Sequence, residues 1–354
     1  LEALGLTEED FAATPHGSWE EGHLYETGLF VAEAMIARLL EPNTFARGVA
    51  MMSEILHRSG VTTIGDQGFP AMNLELELSS MQRELAKDVP YRYVIVPNGM
   101  TLSRARGSVA GGLEAATELL GVASERIRVV RHVKYLADGA MFSQLMQLRE
   151  PYLDGHTGAW LMEPAEQAAV LDAFWRAGWD IHIHVNGDAG LDVVLDQIEA
   201  QQQAHPRDDV RVVLEHYGYA REDQHARVKA LGVVVSSNPY YLHELAPPYA
   251  THGLGPARAG NLAPLGGLVR AGVPFSLHSD AFMAPAEPLT LAWVAANRIA
   301  SDGRVWGPEQ RVPLDLALRA ITTEAAWSLG LEDEIGSIAP GKRADFTVLE
   351  RDPY

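Results

Sequence analysis

The sequence predicts an α/β fold, a TIM-type (β/α)8 barrel, and three observations carry that expectation. Short β-branched runs recur along the chain, stretches with helical spacing follow them, and polar residues end several runs, where a parallel barrel gathers side chains at one mouth. The runs occupy residues 60–66, 91–96, 127–136, 179–185, 210–216, 232–237 and 272–280. Amphipathic stretches at 165–178, 190–203, 222–231 and 264–271 alternate with the later runs. Gly178, Gly232 and Gly272 each close a helical pattern just before a strand, the place for a left-handed C-cap glycine, and Asp188 stands where it can cap the helix that follows. Seven units leave one strand of the eight unaccounted for. A doubly wound dinucleotide fold is disfavoured because no G-x-G-x-x-G follows an early strand, and the glycine-rich stretch 253–260 reads as a mobile βα loop. Residues 1–45, with Pro15-His16-Gly17 and the acidic Glu8-Glu9-Asp10, read as an irregular excursion, and 335–349 as a hairpin-like strand pair outside the barrel.

Composition narrows the function classes. Among 354 residues, 28 Lys and Arg face 47 Asp and Glu, a formal charge of −19, and 47% are hydrophobic. That is globular composition, and so acidic a balance repels phosphate backbones and anionic lipid. No stretch approaches the roughly 18 to 20 apolar residues that a bilayer requires, so neither nucleic acid nor membrane is an expected partner. With no cysteine, disulfides, thiolate nucleophiles and Cys-rich zinc sites are excluded together; a metal has to be held by His, carboxylate or a modified Lys. A small-molecule substrate is the expected partner, homo-oligomerisation is compatible, and the compartment stays undecided with the cytoplasm marginally ahead. Leu1-Glu2-Ala3 opens without Met, a basic n-region or an apolar h-region, so the natural N-terminus is expected upstream.

Chemistry is expected where polar residues end apolar strands. Four stand out: Lys134 in Arg131-His132-Val133-Lys134, His184 in His182-Ile183-His184-Val185-Asn186-Gly187-Asp188, His216 in Glu215-His216, and Asp280 in His278-Ser279-Asp280. Singly, each has a bland reading, since a strand-end His is more often a hydrogen-bonded structural residue and a lone Lys or Asp a solvated loop residue. Together on four strands of one rim they form a set able to bind a hard or borderline divalent cation. An ammonium is a poor ligand, so Lys134 needs carbamylation by CO2, which turns it into an anionic bidentate oxygen ligand and is favoured by a desolvated, neutral amine. His132 and His182 fall two residues earlier on the same strand faces, where they support the ligands or simply pack the barrel core. His278-Ser279-Asp280 holds triad residue types, yet adjacent strand residues point oppositely and cannot relay a proton. Asp138 and Asp188 either orient ligands or shape turns. Tyr240, Tyr241, His243 and Arg258, with the insertion 141–160, are expected to line the substrate pocket.

In order along the chain, these stretches resemble the amidohydrolase superfamily, in particular its YtcJ-like branch, amidohydrolase family 3, which includes N-substituted formamide deformylases. The resemblance runs through Gly60-Val61-Thr62-Thr63, Val133-Lys134 with Ala137-Asp138-Gly139, Pro151-Tyr152 with Gly158, the run from His184 to Asp188, Glu215-His216, Asn238-Pro239, Ser279-Asp280 and the tail Gly336-Ser337-Ile338-Ala339-Pro340-Gly341-Lys342-Arg343-Ala344-Asp345. It covers nearly the whole chain. It implies a distorted metallo-hydrolase barrel with strands two to eight within residues 1–330, part of an accessory β-sandwich in 331–354, and one or two divalent ions, usually zinc. It further implies Lys134 as the carboxylated bridge between metals, His184 and His216 as ligands of the second metal, and Asp280 as ligand and proton shuttle. The reaction implied is cleavage of an amide-like C–N bond by metal-activated hydroxide, in an N-acyl, N-substituted formamide or cyclic amide substrate.

One departure matters. The family's first strand carries an H-x-H pair for the first metal, but no H-x-H precedes Lys134, and the only such pair, His182 and His184, sits on the strand of the second metal. Strand one and most of the sandwich are therefore expected to be missing, leaving an open edge unless another segment supplies it. A rival reading, a catalytically silent scaffold of the same fold, rests on that absence. A phosphate-ligand barrel enzyme would need a glycine-framed anion site that residues 276–280 do not supply.

Overall fold

The computed structural model describes residues 5–14, 16–32 and 38–354; Leu1-Glu2-Ala3 and Pro15 lie outside the described residues. The chain begins with a helix, Glu8–Ala12, whose Thr7 cap accepts from Asp10 N–H, and a short antiparallel pair, β1 (Gly17–Ser18) with β2 (His23–Leu24). The excursion thus carries regular structure among its described residues. The parallel strands then follow where the β-branched runs place them: β3 (Thr63–Phe69), β4 (Arg92–Pro97), β5 (Ile127–Val129), β6 (His132–Leu136), β7 (Asp180–Val185), β8 (Val212–His216), β9 (Val234–Ser237) and β10 (Phe275–Leu277).

Two parallel sheets result, β3-β4-β5 and β6-β7-β8-β9-β10. The run 127–136 breaks at Val130-Arg131, because its first half pairs with β4 and its second with β7. A parallel bridge between Asn98 and Lys134 ties the two sheets into one series. Its ends, β3 and β10, do not pair with each other, so among the described residues the barrel is not closed. A cavity of about 710 Å³ is lined by residues of both end strands, among them Thr63, Ile64, Ser276 and Leu277.

Helices Pro164–Arg176, Asp188–Ala204, Glu222–Ala230 and Leu265–Ala271 pack between the strands that precede and follow them. The first starts on proline, which loses nothing at a position whose N–H has no intrahelical partner, and buries Val170, Leu171, Phe174 and Trp175. Gly178, Gly232 and Gly272 take φ of 76°, 67° and 69° on leaving their helices, a backbone that strains any residue with a Cβ. Asp188 is not the cap expected of it: the helix begins one residue earlier in register, behind Gly187, and the Asp188 carboxylate accepts Arg149 N–H at 2.9 Å and Arg221 Nε at 2.6 Å. The longest described helix is too short and too polar to cross a membrane.

Two other stretches differ from expectation. Residues 253–260 are wound, with a π-helix over Tyr249–Gly253 and a helix over Pro256–Ala259, because Leu254 and Ala259 are buried among Met141, Tyr152 and Tyr249. Residues 335–349 form no strand: Ile338 and Val348 stay exposed, and the segment is pinned instead by the Arg92–Asp345 ion pair and by Thr347, whose hydroxyl donates to Gly60 O at 2.6 Å. A lone hairpin without a sheet to join gains too little burial to persist.

Beside the wound segment, Arg298 is 1% exposed and donates to the carbonyls of Gly260, Leu262, Ala263 and Trp306. Burial pushes its guanidinium down to about 9. Arg298→Met is expected to lower the unfolding free energy by about 2 kcal/mol in a urea titration, because four carbonyls lose a charged donor while a desolvated charge is relieved. An unchanged midpoint would refute that role.

Candidate functional site

Side-chain alternation and strand register put one row of residues on the face that looks into the cavity. Leu136, His184, Glu215, Ser236 and Ser276 stand opposite one another across β6 to β10, and all five line the cavity. Lys134 lies one step below Leu136 on the same face, opposite His182. Alternation would turn His216 away from Glu215. The backbone is left-handed at His216 (φ 76°) and Tyr217 (φ 51°), where β8 ends, and the side chains of Glu215 and His216 both line the cavity. Such strain persists only where the surroundings enforce it.

The four residues expected at the rim, Lys134, His184, His216 and Asp280, all border this cavity. The imidazoles of His184 and His216 meet edge to face, with ring centroids 4.4 Å apart. Burial, aided by the charge of Lys134, pushes His184 down to about 3; burial and the neighbouring His184 and Lys134 hold His216 well below the usual imidazole range. Both are therefore neutral at pH 7, the form that ligates metal. Lys134 is 8% exposed and its side-chain nitrogen makes no hydrogen bond or ion pair among the described residues. Asp280 is exposed on the loop after β10 at φ 55°, on the open side of the cavity.

Beneath the rim runs a hydrogen-bonded string. His132 Nδ1 lies 3.0 Å from His182 Nε2, and His182 Nδ1 2.6 Å from Glu215 Oε1. Burial by itself would raise the Glu215 carboxyl, but the hydrogen bond and charge of His182, with His278 and Lys134 behind, draw it down to about 2. Asp138 is fully buried and accepts the backbone N–H of Gln147, Asn186 and Gly187 at 2.8 to 2.9 Å. The Asn186 side-chain amide in turn sits 3.1 Å from His184 Nε2. Asp138 thus braces the turn that presents His184, whereas Asp188 is occupied at the helix start.

Of the pocket residues expected, Tyr241 reaches the site: its hydroxyl is 3.1 Å from His216 Nδ1. Tyr240 is buried in the main core, His243 Nδ1 is 2.8 Å from Ile299 O, and Arg258 donates to Leu254 O, Glu150 O and Pro151 O; neither these three nor Tyr241 itself lines the cavity. The expectation that adjacent residues of 278–280 point oppositely fails because β10 ends at Leu277, and His278, Ser279 and Asp280 all border the cavity. Three residues escaped sequence reasoning: Asp66, which accepts from Tyr93 O–H and from Gly68 N–H at 3.1 Å, Tyr93 itself, and His278. Burial raises the Asp66 carboxyl, against the Tyr93 hydrogen bond. The available signal was its place at the end of the first β-branched run.

The donor types fit a divalent ion: two neutral imidazoles in contact, a lysine amine facing the cavity and a rim carboxylate. Among the described residues, however, no three His, Asp or Glu side chains converge as a finished group for a metal ion. Lys134 and a further ligand are needed to complete one.

Comparison with known proteins shows the family. A model of the amidohydrolase family matches residues 17–354. The chain is 29% identical over 346 residues to Protein LONG AFTER FAR-RED 3 of Arabidopsis thaliana, covering 93% of this chain and 58% of that one. It is 31% identical over 198 residues to N-substituted formamide deformylase of Arthrobacter pascens, covering 56% of this chain and 36% of that one. The chain therefore spans about three fifths or less of these relatives' lengths. An uncharacterized metal-dependent hydrolase from Pyrococcus horikoshii superposes with a TM-score of 0.77 at 23% identity, covering 100% of this chain and 68% of that one. By the family match and by the order of its strands and motifs, the chain belongs to the amidohydrolase family.

Proposed function

We propose that the chain carries the barrel of a metal-dependent hydrolase that cleaves an amide-like C–N bond, in an N-acyl, N-substituted formamide or cyclic amide substrate. The observation that supports this reading is that Lys134, His184, His216 and Asp280 all line one cavity. His184 and His216 would hold the ion, with zinc suited to imidazole and carboxylate donors. Lys134 would join them as a carbamate: its neutral amine attacks CO2, an N–C bond forms as one C=O π bond opens, the nitrogen releases a proton to solvent, and one negative charge is shared by two oxygens. When bound, the ion acidifies water and polarises the scissile carbonyl. Asp280, on the open side of the cavity, takes the proton from the attacking water and returns it to the leaving nitrogen.

Metal content tests the reading. After incubation with zinc and gel filtration, the parent chain is expected to retain metal by mass spectrometry, and the His184→Ala/His216→Ala variant to fall to background. A parent chain that stays metal-free and turns over no formamide or cyclic amide would overturn it. That result would favour the silent scaffold.

A further inference from the structure

We propose that His278 is a positioning residue that decides which ring nitrogen His216 offers to a metal ion, a role that rests on the hydrolase reading above. His278 Nε2 lies 3.1 Å from His216 Nδ1, and His278 Nδ1 lies 2.8 Å from Ser236 Oγ. The Tyr241 hydroxyl is also 3.1 Å from His216 Nδ1, whereas His216 Nε2 makes no hydrogen bond among the described residues.

A neutral imidazole carries one proton, so these contacts impose a choice. If Ser236 Oγ accepts the Nδ1–H of His278, the Nε2 lone pair of His278 accepts the Nδ1–H of His216, and His216 Nε2 keeps its lone pair for a metal. If Tyr241 instead donates its hydroxyl to His216 Nδ1, the His216 proton sits on Nε2 and that nitrogen cannot ligate. His278 and Tyr241 therefore act in opposite directions on one atom. The surroundings favour His278: the Glu215 carboxylate, 3.7 Å from His278 Nδ1, adds a second attraction that keeps the proton there.

The test reads the tautomer before any metal is added. Long-range proton–nitrogen NMR of the metal-free full chain is expected to show His216 protonated on Nδ1. It should move toward Nε2 protonation in His278→Ala and in Ser236→Ala, and stay on Nδ1 in Tyr241→Phe. In chelator competition, zinc affinity should fall roughly 10–100-fold in His278→Ala and recover in His278→Gln, whose amide oxygen can accept the same proton. Ser236→Ala, which only shortens a side chain, keeps the question open to measurement if His278→Ala does not fold. An unmoved tautomer, or parent-like zinc affinity in His278→Ala, overturns the role and leaves the hydrolase reading standing. The tautomer shift in a parent chain that takes up no zinc supports control of His216 by His278 while overturning the hydrolase reading.

Discussion

Asp280→Asn is expected to lower kcat on an N-substituted formamide by about 10²- to 10⁴-fold, the range that a positioned proton-transfer group contributes, and to cost turnover far more than bound metal. The asparagine keeps the size and one oxygen of the side chain but cannot carry a proton between water and the leaving nitrogen. Asp280 suits that task because it lines the cavity while remaining exposed, so it can turn toward substrate without breaking buried contacts. Its φ of 55° is within reach of asparagine, which tolerates the left-handed region better than most residues, so the variant should fold. A metal-replete variant with parent turnover would remove Asp280 from the mechanism.

Asp138→Asn is expected to cost about 3–5 kcal/mol of stability and to flatten its pH dependence. Three backbone N–H groups point at the Asp138 carboxylate; an amide would turn its own N–H toward at least one of them, and each buried donor left unpaired costs about 1–3 kcal/mol. The pH effect has a definite sign. Burial raises Asp138 from 3.8 to about 7, so between these values the folded chain holds a proton that the unfolded chain has released. This contribution is fully present below about 3.8 and is lost as pH rises through about 7, with a slope approaching 1.4 kcal/mol per pH unit. Urea midpoints from pH 4 to 8 should therefore fall more steeply in the parent than in Asp138→Asn. Parallel curves would show that Asp138 is ionised throughout.

The strand series was legible because a parallel strand buried on both faces must be apolar and β-branched, and only its mouth end tolerates polar side chains. That rule located β3 to β10 and brought Lys134, His184, His216 and Asp280 to one cavity. It misread places where the backbone leaves the regular pattern. His278 was dismissed by strand alternation that stops at Leu277, and Arg258 was placed by loop position although its guanidinium is consumed by backbone carbonyls. The tail carried a strand-like pattern, yet residues 335–349 form no strand.

By itself, the amino-acid order determined the succession of strands and helices, the acidic, cysteine-free chemistry and the rim residues of the mouth, since local periodicity and residue type are written along the chain. Tertiary structure alone decided that Glu215 and His216 share one cavity, that Asp66, Tyr93 and His278 join them, and that β3 and β10 stay apart. Those outcomes depend on left-handed turns and on contacts between residues distant in sequence, which no local pattern encodes.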